Sequence, residues 1–214
     1  MNDKVIIIDY GLGNLLSVAR AFKYCGADPV VTDSPCIIKN AERVVLPGVG
    51  AFSVGMNELK SRNLIDSLHE FISKERPFLG ICLGMQMMLE NSEEFGFHKG
   101  LGFIPGVVKA IPKININGHP HKIPHIGWNN LIYLPESNSW ENTILNNIQI
   151  NSAVYFVHSF MAIPNENKFR LADCNYNGIR ISAVIKKGAL YGCQFHPEKS
   201  GETGLKIIKE FLKF

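Results

Sequence analysis

The chain has 214 residues, of which 46% are hydrophobic and 19% are charged, and its formal net charge is +3 at pH 7. This length is enough for one well-buried core and short for two, so we expect a single domain spanning residues 1–214. The small charge, without a dense stripe of Lys or Arg, argues against nucleic acid as a partner. No apolar run approaches the length of a membrane span, which argues against a membrane partner as well.

The cysteines and the first residues both favour a cytoplasmic location. The number of cysteines is odd, and no two of them have the C-x-x-C spacing, which is typical of reduced thiols: Cys25, Cys36, Cys82, Cys174 and Cys193. The apolar run at residues 5–8 is too short for a signal peptide and meets the acidic Asp9 at once.

The first half of the chain alternates between short β-branched runs and helical patterns. Strands are predicted at residues 5–8, 30–31, 44–46 and 78–81. Helices are predicted between them, one on the apolar face from Leu12 to Phe22 and one over residues 64–72. Strands separated by amphipathic helices predict an α/β fold, with a mainly parallel, doubly wound sheet and helices on both faces.

The second half has a different pattern. Residues 104–134 are rich in Pro, Gly, Asn and His and predict short strands without a helix, and residues 136–151 predict a surface excursion. Strands at residues 155–157, 183–185 and 190–195 are predicted to be antiparallel, joined by turns at Asn177-Gly178 and Lys187-Gly188. The chain ends in a helix with one apolar face, which includes Leu205, Ile208 and Phe211.

A cysteine lies where a predicted strand meets a predicted helix, in the sequence Gly80-Ile81-Cys82-Leu83-Gly84. This G-x-C-x-G pattern is the cysteine version of the nucleophile elbow, a strained turn that lifts the nucleophile clear of the sheet. A buried structural cysteine is the commoner role of this residue, but the strand before it and the helix after it favour a catalytic one.

Two further segments suit the same chemistry. His196 and Glu198 flank Pro197, which holds its predecessor extended, so the two side chains are predicted to project to one side of a strand-like segment. Glu198 could then orient His196 while His196 activates a thiol. In the loop at residues 47–52, two glycines could expose backbone N–H groups to an oxyanion. An isolated His-Pro-Glu sequence or a plain glycine turn would not indicate catalysis. Their occurrence together with the elbow cysteine favours a catalytic role for both segments.

Taken in chain order, the loop, the cysteine elbow and the His-Pro-Glu segment resemble those of the class I glutamine amidotransferases. More narrowly, the chain is similar to the glutaminase subunits of imidazole glycerol phosphate synthases of histidine biosynthesis, over nearly all of residues 4–213. The supporting strings are Asp9 to Asn14, Pro47 to Phe52, Gly80 to Gln86, Pro124 to Asn129, Tyr155 to Ser159 and Gln194 to Ser200.

The resemblance implies a role for each matched residue. It makes Cys82 the nucleophile that attacks the glutamine carboxamide, His196 the acid and base, and Glu198 its orienting residue. The oxyanion hole would come from Val49, Gly50 and Leu83. Glutamine would be held by Gly48, Gly50, Gln86 and, with weaker support, Ser159 and Phe160. The resemblance implies neither a cofactor nor a metal.

The resemblance also implies a partner. Family members form a heterodimer with a barrel-shaped cyclase subunit that receives the ammonia, and the matching interface positions are Tyr10, Asn14, His125, Trp128 and Lys199. Residues 92–102 and 191–202 are also similar to a paralogous branch that supplies ammonia to a synthetase of bacterial surface-polysaccharide sugars. That acceptor stays an alternative, as does, less favoured, a binding module that has lost catalysis or a stand-alone hydrolase.

Three other patterns predict little. The sequence Gly11-Leu12-Gly13 follows a strand, but Leu16 occupies the third glycine position of a dinucleotide fingerprint. His119, His121 and His125 are interrupted by prolines, which argues against a helical metal site. His158 follows an apolar strand and is predicted to be a hydrogen-bonded packing residue rather than a base.

Overall fold

The computed structural model describes residues 4–136 and 139–214. The described residues form these strands: β1 (Lys4–Ile8), β2 (Asp28–Thr32), β3 (Val44–Gly48), β4 (Phe78–Cys82), β5 (Leu89–Ser92), β6 (His98–Lys99), β7 (Ile104–Ala110), β8 (His125–Asn130), β9 (Ala153–His158), β10 (Phe160–Pro164), β11 (Arg170–Tyr176), β12 (Ile179–Lys187) and β13 (Leu190–Cys193). They also form these helices: α1 (Leu15–Tyr24), α2 (Pro35–Asn40), α3 (Phe52–Ser61), α4 (Leu64–Ile72), α5 (Leu83–Met87) and α6 (Gly201–Phe211).

A seven-stranded sheet with the order β11–β12–β13–β4–β3–β1–β2 is the centre of the molecule. The neighbours from β13 to β2 run parallel, whereas β11 and β12 add an antiparallel edge. Two smaller sheets have the orders β10–β7–β5–β6 and β8–β9. The predicted mainly parallel sheet, with antiparallel strands from the second half of the chain, is confirmed.

The central sheet is covered on both faces, which explains its continuously apolar strands. In β1, Val5 and Ile7 pack into one core with residues of α1 and α6. Ile6 and Ile8 point to the opposite face and join a second core with residues of α2, α3 and α4. Successive residues of a strand point to opposite faces, so a four-residue apolar run supplies both cores.

The two predicted turns of the second half are present. Asn177 and Gly178 join β11 to β12 with φ angles of 52° and 89°, and a two-residue turn with positive φ at both positions matches the twist of a hairpin. Lys187 ends β12, and Gly188, with φ of 59°, follows in the turn to β13. The sequence patterns did not predict α2, α3 or the separate sheet that contains β5, β6, β7 and β10.

The prediction of a surface excursion at residues 136–151 is wrong for its apolar side chains. Trp140, Ile144 and Leu145 are buried in the same core as α1 and α6. The Trp140 indole nitrogen donates a hydrogen bond to the Leu171 carbonyl at 2.9 Å, which anchors the segment on β11. Ser137 and Asn138 of this stretch lie outside the described residues. The segment is rich in Asn and Ser, and its apolar residues do not have the spacing of a regular helix or strand, so their burial was not recognisable.

None of the helices in the described part of the chain has the length and apolar composition that a bilayer crossing requires.

Candidate active site

Cys82 is the last residue of β4, and α5 begins at the next residue. Its backbone has φ of 53° and ψ of −107°, a conformation that costs free energy in a residue with a side chain and that clusters at functional sites. The turn is tight because Gly84 packs directly on Leu46 of β3, where a Cβ would collide with the Leu46 carbonyl oxygen. The predicted elbow geometry is therefore present at Cys82.

His196 and Glu198 form a buried pair. The Nδ1 atom of His196 lies 2.8 Å from Oε1 of Glu198, and their side chains are only 3% and 2% exposed. The predicted strand-like segment is wrong in its detail, since His196 is extended but Pro197–Lys199 form a 3₁₀ turn. The turn still carries Glu198 back onto the imidazole ring.

The second ring nitrogen of His196, Nε2, is buried and has no hydrogen-bond partner among the described residues. Burial lowers the pKa of His196, but the nearby Cys82 and the hydrogen-bonded Glu198 outweigh it and raise this pKa to about 10. His196 is therefore placed to accept and hold a proton that Cys82 releases.

Cys82 and His196 open onto a cavity of about 370 Å³. Six other predicted site residues lie on its walls, namely Val49, Gly50, Leu83, Gln86, Ser159 and Phe160. Gly48 is outside this wall, in β3, where an added Cβ would collide with the hydroxyl of Tyr10. Gly50 has φ of 106°, which L side chains rarely adopt, so the loop keeps a conformation that favours glycine.

The Gln86 side chain is fixed by two contacts of its amide nitrogen. Nε2 donates to the Phe160 carbonyl at 3.0 Å and to Oε1 of Gln194 at 3.1 Å. Both amide hydrogens are thus used within the protein, and only the Gln86 carbonyl oxygen is left to interact with a ligand.

Glu94 and Phe95 are cavity residues that the sequence patterns did not predict as part of the site. Glu94 is only 7% exposed, and its Oε2 accepts a hydrogen bond from the backbone nitrogen of Phe52 at 2.7 Å. Burial raises the pKa of Glu94, although this bond and nearby His98 counteract the shift. Phe95 is 85% exposed and its ring contacts that of Phe160 edge to face. Both residues follow β5 without a recognisable motif, so the only signal was a pair of carboxylates beside an aromatic residue.

His158 also lines the cavity, and its hydrogen bonds agree with the predicted packing role. Its Nδ1 lies 2.8 Å from the Phe160 carbonyl oxygen and its Nε2 lies 2.9 Å from Nδ1 of His125. Burial is the main cause that lowers the pKa of His158 to about 3 and that of His125 to about 4. Both rings are therefore neutral near pH 7, which leaves His196 as the histidine of the cavity that can hold a proton there.

The five predicted interface residues divide into two groups. Asn14 and Lys199 are exposed, and Trp128 is 59% exposed. Tyr10 and His125 are buried within the chain, so their side chains are not available to a partner in this arrangement.

No three His, Cys, Asp or Glu side chains within residues 4–136 and 139–214 form a group that could hold a metal ion. His121 instead interacts with the Pro112 carbonyl and with Asn177, while His125 pairs with His158.

The sequence of the chain matches a known protein family. The family model described as glutamine amidotransferase class-I matches residues 6–214. The chain belongs to the class I glutamine amidotransferases. A relative from Legionella pneumophila (strain Lens), named imidazole glycerol phosphate synthase subunit HisH 1, is 58% identical to this amidotransferase over 209 residues, with 98% of each chain covered. A relative from Geobacillus sp. (strain WCH70), named imidazole glycerol phosphate synthase subunit HisH, is 42% identical, covering 96% of this chain and 94% of its own.

Solved structures give the same fold at low identity. The structure of PurLQS from Thermotoga maritima superposes with a TM-score of 0.71 at 20% identity, covering 100% of this amidotransferase and 99% of that chain. The glutaminase domain of CTPS from Trypanosoma brucei, with bound acivicin, has a TM-score of 0.63 at 15% identity and covers 98% and 94% of the two chains.

Proposed function

We propose that this amidotransferase is the glutaminase subunit of an imidazole glycerol phosphate synthase and acts in histidine biosynthesis. It hydrolyses L-glutamine to glutamate and ammonia, and the ammonia passes to a cyclase subunit. The observation that carries the proposal is the buried His196–Glu198 pair beside Cys82, which sits on a strained elbow at the wall of one cavity. The relatives named as subunits of that synthase support the choice of pathway.

The chemistry begins with proton transfer from the Cys82 thiol to Nε2 of His196. The sulfur attacks the carboxamide carbon, and the oxygen takes up the electron pair of the carbonyl bond as a negative charge. Backbone N–H groups of Leu83 and of the Val49–Gly50 loop are the proposed donors to this oxyanion. His196 then returns the proton to the nitrogen, the C–N bond breaks and ammonia leaves.

A water molecule completes the reaction. His196 takes a proton from the water as it attacks the thioester carbon, the C–S bond breaks, His196 returns the proton to the Cys82 sulfur, and glutamate is released. Throughout both steps Glu198 bonds Nδ1 of His196, which keeps the reacting nitrogen, Nε2, on the side of Cys82.

Substrate recognition follows from the two polar groups of the cavity. The free carbonyl oxygen of Gln86 can accept a hydrogen bond from the carboxamide nitrogen of glutamine, because its own amide hydrogens are already used. The buried carboxyl of Glu94 can bind the α-ammonium group, and such a buried charge is stabilised by pairing. Ser159 and Phe160 complete this wall.

The proposed partner surface lies next to the catalytic turn. A Cβ added at Gly201 would be 3.9 Å from the Trp128 ring, so this ring sits close to the turn that carries Lys199. Trp128 and Ile126, 59% and 53% exposed, present apolar area on β8. Exposed aromatic residues of this kind are typical of protein interfaces. Asn14 is a further exposed position of the proposed surface.

The test measures glutamine hydrolysis by the chain alone and then with the cyclase subunit and its nucleotide ligand. We expect strong stimulation, and we expect Cys82→Ala to abolish glutamine-dependent synthesis while ammonia-dependent synthesis by the partner is kept. Cys36→Ala, which removes an exposed thiol, is the matched control and should leave both activities unchanged.

Two results would contradict the proposal. If Cys82→Ala removed both activities while the complex still assembled, the role of Cys82 would be wrong. If the folded chain were neither bound nor stimulated by the cyclase, the pathway would be wrong, and a synthetase of surface-polysaccharide sugars would become the acceptor to test.

A further inference from the structure

Gln194 follows β13 and lies two residues before the catalytic histidine. Its side chain is fully buried, and its backbone nitrogen donates to the Ala183 carbonyl at 2.9 Å. The side-chain nitrogen, Nε2, lies 3.8 Å from the sulfur of Cys82. The side-chain oxygen, Oε1, lies 3.1 Å from Nε2 of Gln86. Gln194 is fully buried and does not line the cavity. It contacts the site residues Cys82 and Gln86 from behind the cavity wall.

The orientation of the Gln194 amide follows from a single backbone carbonyl. Phe160 oxygen can only accept hydrogen bonds, so Gln86 must turn its NH₂ group toward it. The same NH₂ group faces Gln194, which must therefore present its oxygen there. The NH₂ group of Gln194 is then left to face the Cys82 sulfur. Rotating either amide by 180° would place two donors or two acceptors against each other.

The sulfur has a different partner in each protonation state. As a thiol, Cys82 can donate to the Val157 carbonyl, which is 3.9 Å from Sγ. Once its proton has moved to His196, the sulfur can only accept, and the carbonyl of Val157 no longer offers a favourable contact. The N–H group of Gln194 is then the donor already in position, with its orientation held by Gln86. A donor that is preorganised in a buried site stabilises a charge without reorganisation.

We propose that Gln194 is a further catalytic residue, one that stabilises the negatively charged sulfur of Cys82 through an N–H···S hydrogen bond. This inference rests on the proposed role of Cys82 as the nucleophile. Gln86 orients Gln194, so the residue that binds the substrate carboxamide and the residue that supports the nucleophile are joined by one hydrogen bond.

The test compares wild type with Gln194→Leu and Gln194→Met. Both variants remove the N–H donor and place no ionisable group beside the sulfur, and Gln194→Met keeps a similar side-chain length. We expect methyl iodide to alkylate Cys82 about tenfold more slowly at neutral pH in both variants, because a hydrogen bond to a charged group is lost. We expect kcat for glutamine in the assembled complex to fall at least as much, with KM within about threefold of wild type.

Methyl iodide has no carboxamide, ammonium or carboxylate group and so makes no use of the glutamine-binding contacts; it separates support of the sulfur from support of the substrate. Alkylation is followed by mass spectrometry of the Cys82 peptide, with the exposed Cys36 as an internal control whose rate should not change. Circular dichroism checks that each variant is folded, and one folded variant is sufficient for the comparison.

An unchanged Cys82 alkylation rate with a raised KM would overturn the inference, since Gln194 would then act on the substrate through Gln86. If alkylation depends on Gln194 but the wild-type complex does not hydrolyse glutamine, the contact with the sulfur stands and the proposed function fails.

Discussion

Nδ1 of His196 lies 2.8 Å from Oε1 of Glu198, although only Pro197 separates the two residues in the chain. His196 has extended backbone angles of φ −97° and ψ 99°, and Pro197 opens a 3₁₀ turn that brings Glu198 alongside the ring. The bond leaves Nε2 of His196 as the nitrogen that can exchange a proton with Cys82. A local turn thus sets both the orientation and the tautomer of the histidine.

Replacing Glu198 by Gln should lower kcat for glutamine about 100-fold or more, with KM changed only a few-fold. The amide keeps the size of the side chain but no longer stabilises the imidazolium ion or enforces the tautomer. Steady-state glutaminase assays in the presence of the partner measure this. Glu202→Gln, an exposed carboxylate at the start of α6, is the control and should behave as wild type. Equal rates for both variants would remove Glu198 from the mechanism.

Replacing Glu94 by Gln should raise KM for glutamine about tenfold or more and change kcat less. The amide oxygen can still accept the hydrogen bond from Phe52, but the charge proposed to bind the α-ammonium group is gone. The neighbouring Glu93→Gln is the matched control, because Glu93 is exposed and pairs with Lys109 on the surface. A normal KM in Glu94→Gln would show that the ammonium group is bound elsewhere.

Replacing Gly84 by Ala should reduce the free energy of unfolding by about 3 kcal/mol or more, because the new methyl group meets the backbone of β3. Gly55→Ala is the matched control. Its methyl group meets only the side chains of Met87 and Leu83, which can move, and alanine favours the helix. Urea unfolding measures both variants. A Gly84→Ala protein as stable as Gly55→Ala would contradict the tight packing of the elbow.

The His125–His158 pair should make the protein less stable in acid. The folded-state pKa of His125 is lowered to about 4 from its ordinary value of 6.5, so between these values the unfolded chain binds a proton that the folded chain does not. Its contribution is full above pH 6.5 and is lost as pH falls toward 4.

Replacing His125 by Gln should therefore weaken the pH dependence of stability. We expect the loss of unfolding free energy between pH 7 and 4.5 to be smaller than in wild type by on the order of 2 kcal/mol. Urea unfolding at the two pH values measures it, and His119→Gln, at an exposed histidine, is the control. An unchanged slope in His125→Gln would mean that this ring is not the group that titrates.

The parts of the site that depend on neighbours in the chain could be predicted from the sequence. The elbow needs a strand, a cysteine between glycines and a helix, and all three lie within residues 78–87. The pairing of His196 with Glu198 likewise depends on three consecutive residues. The buried strands were recognisable for the same reason, because a run such as residues 5–8 must be covered on both faces.

The burial of other side chains could not be predicted, because it is decided by distant residues. The Asn- and Ser-rich segment was predicted to lie on the surface, yet Trp140 packs against β11, 31 residues away. Tyr10 was placed at a partner interface by resemblance, and only the structure shows that its side chain is fully buried beneath Gly48. In both cases no local pattern records what covers the side chain.

The sequence by itself determined the mainly parallel sheet, the elbow and the pairing of His196 with Glu198, since each follows from the covalent geometry and polarity of nearby residues. Only the tertiary structure brought Glu94 to the cavity, paired His125 with His158 and placed Gln194 against Cys82, which is 112 positions away. A contact over such a separation depends on how two strands align in the sheet. The parallel hydrogen bonding of β13 to β4 places Cys193 opposite Ile81, and so brings the residues that follow them, Gln194 and Cys82, close together. Side chains acquire these roles from the packing of the whole chain.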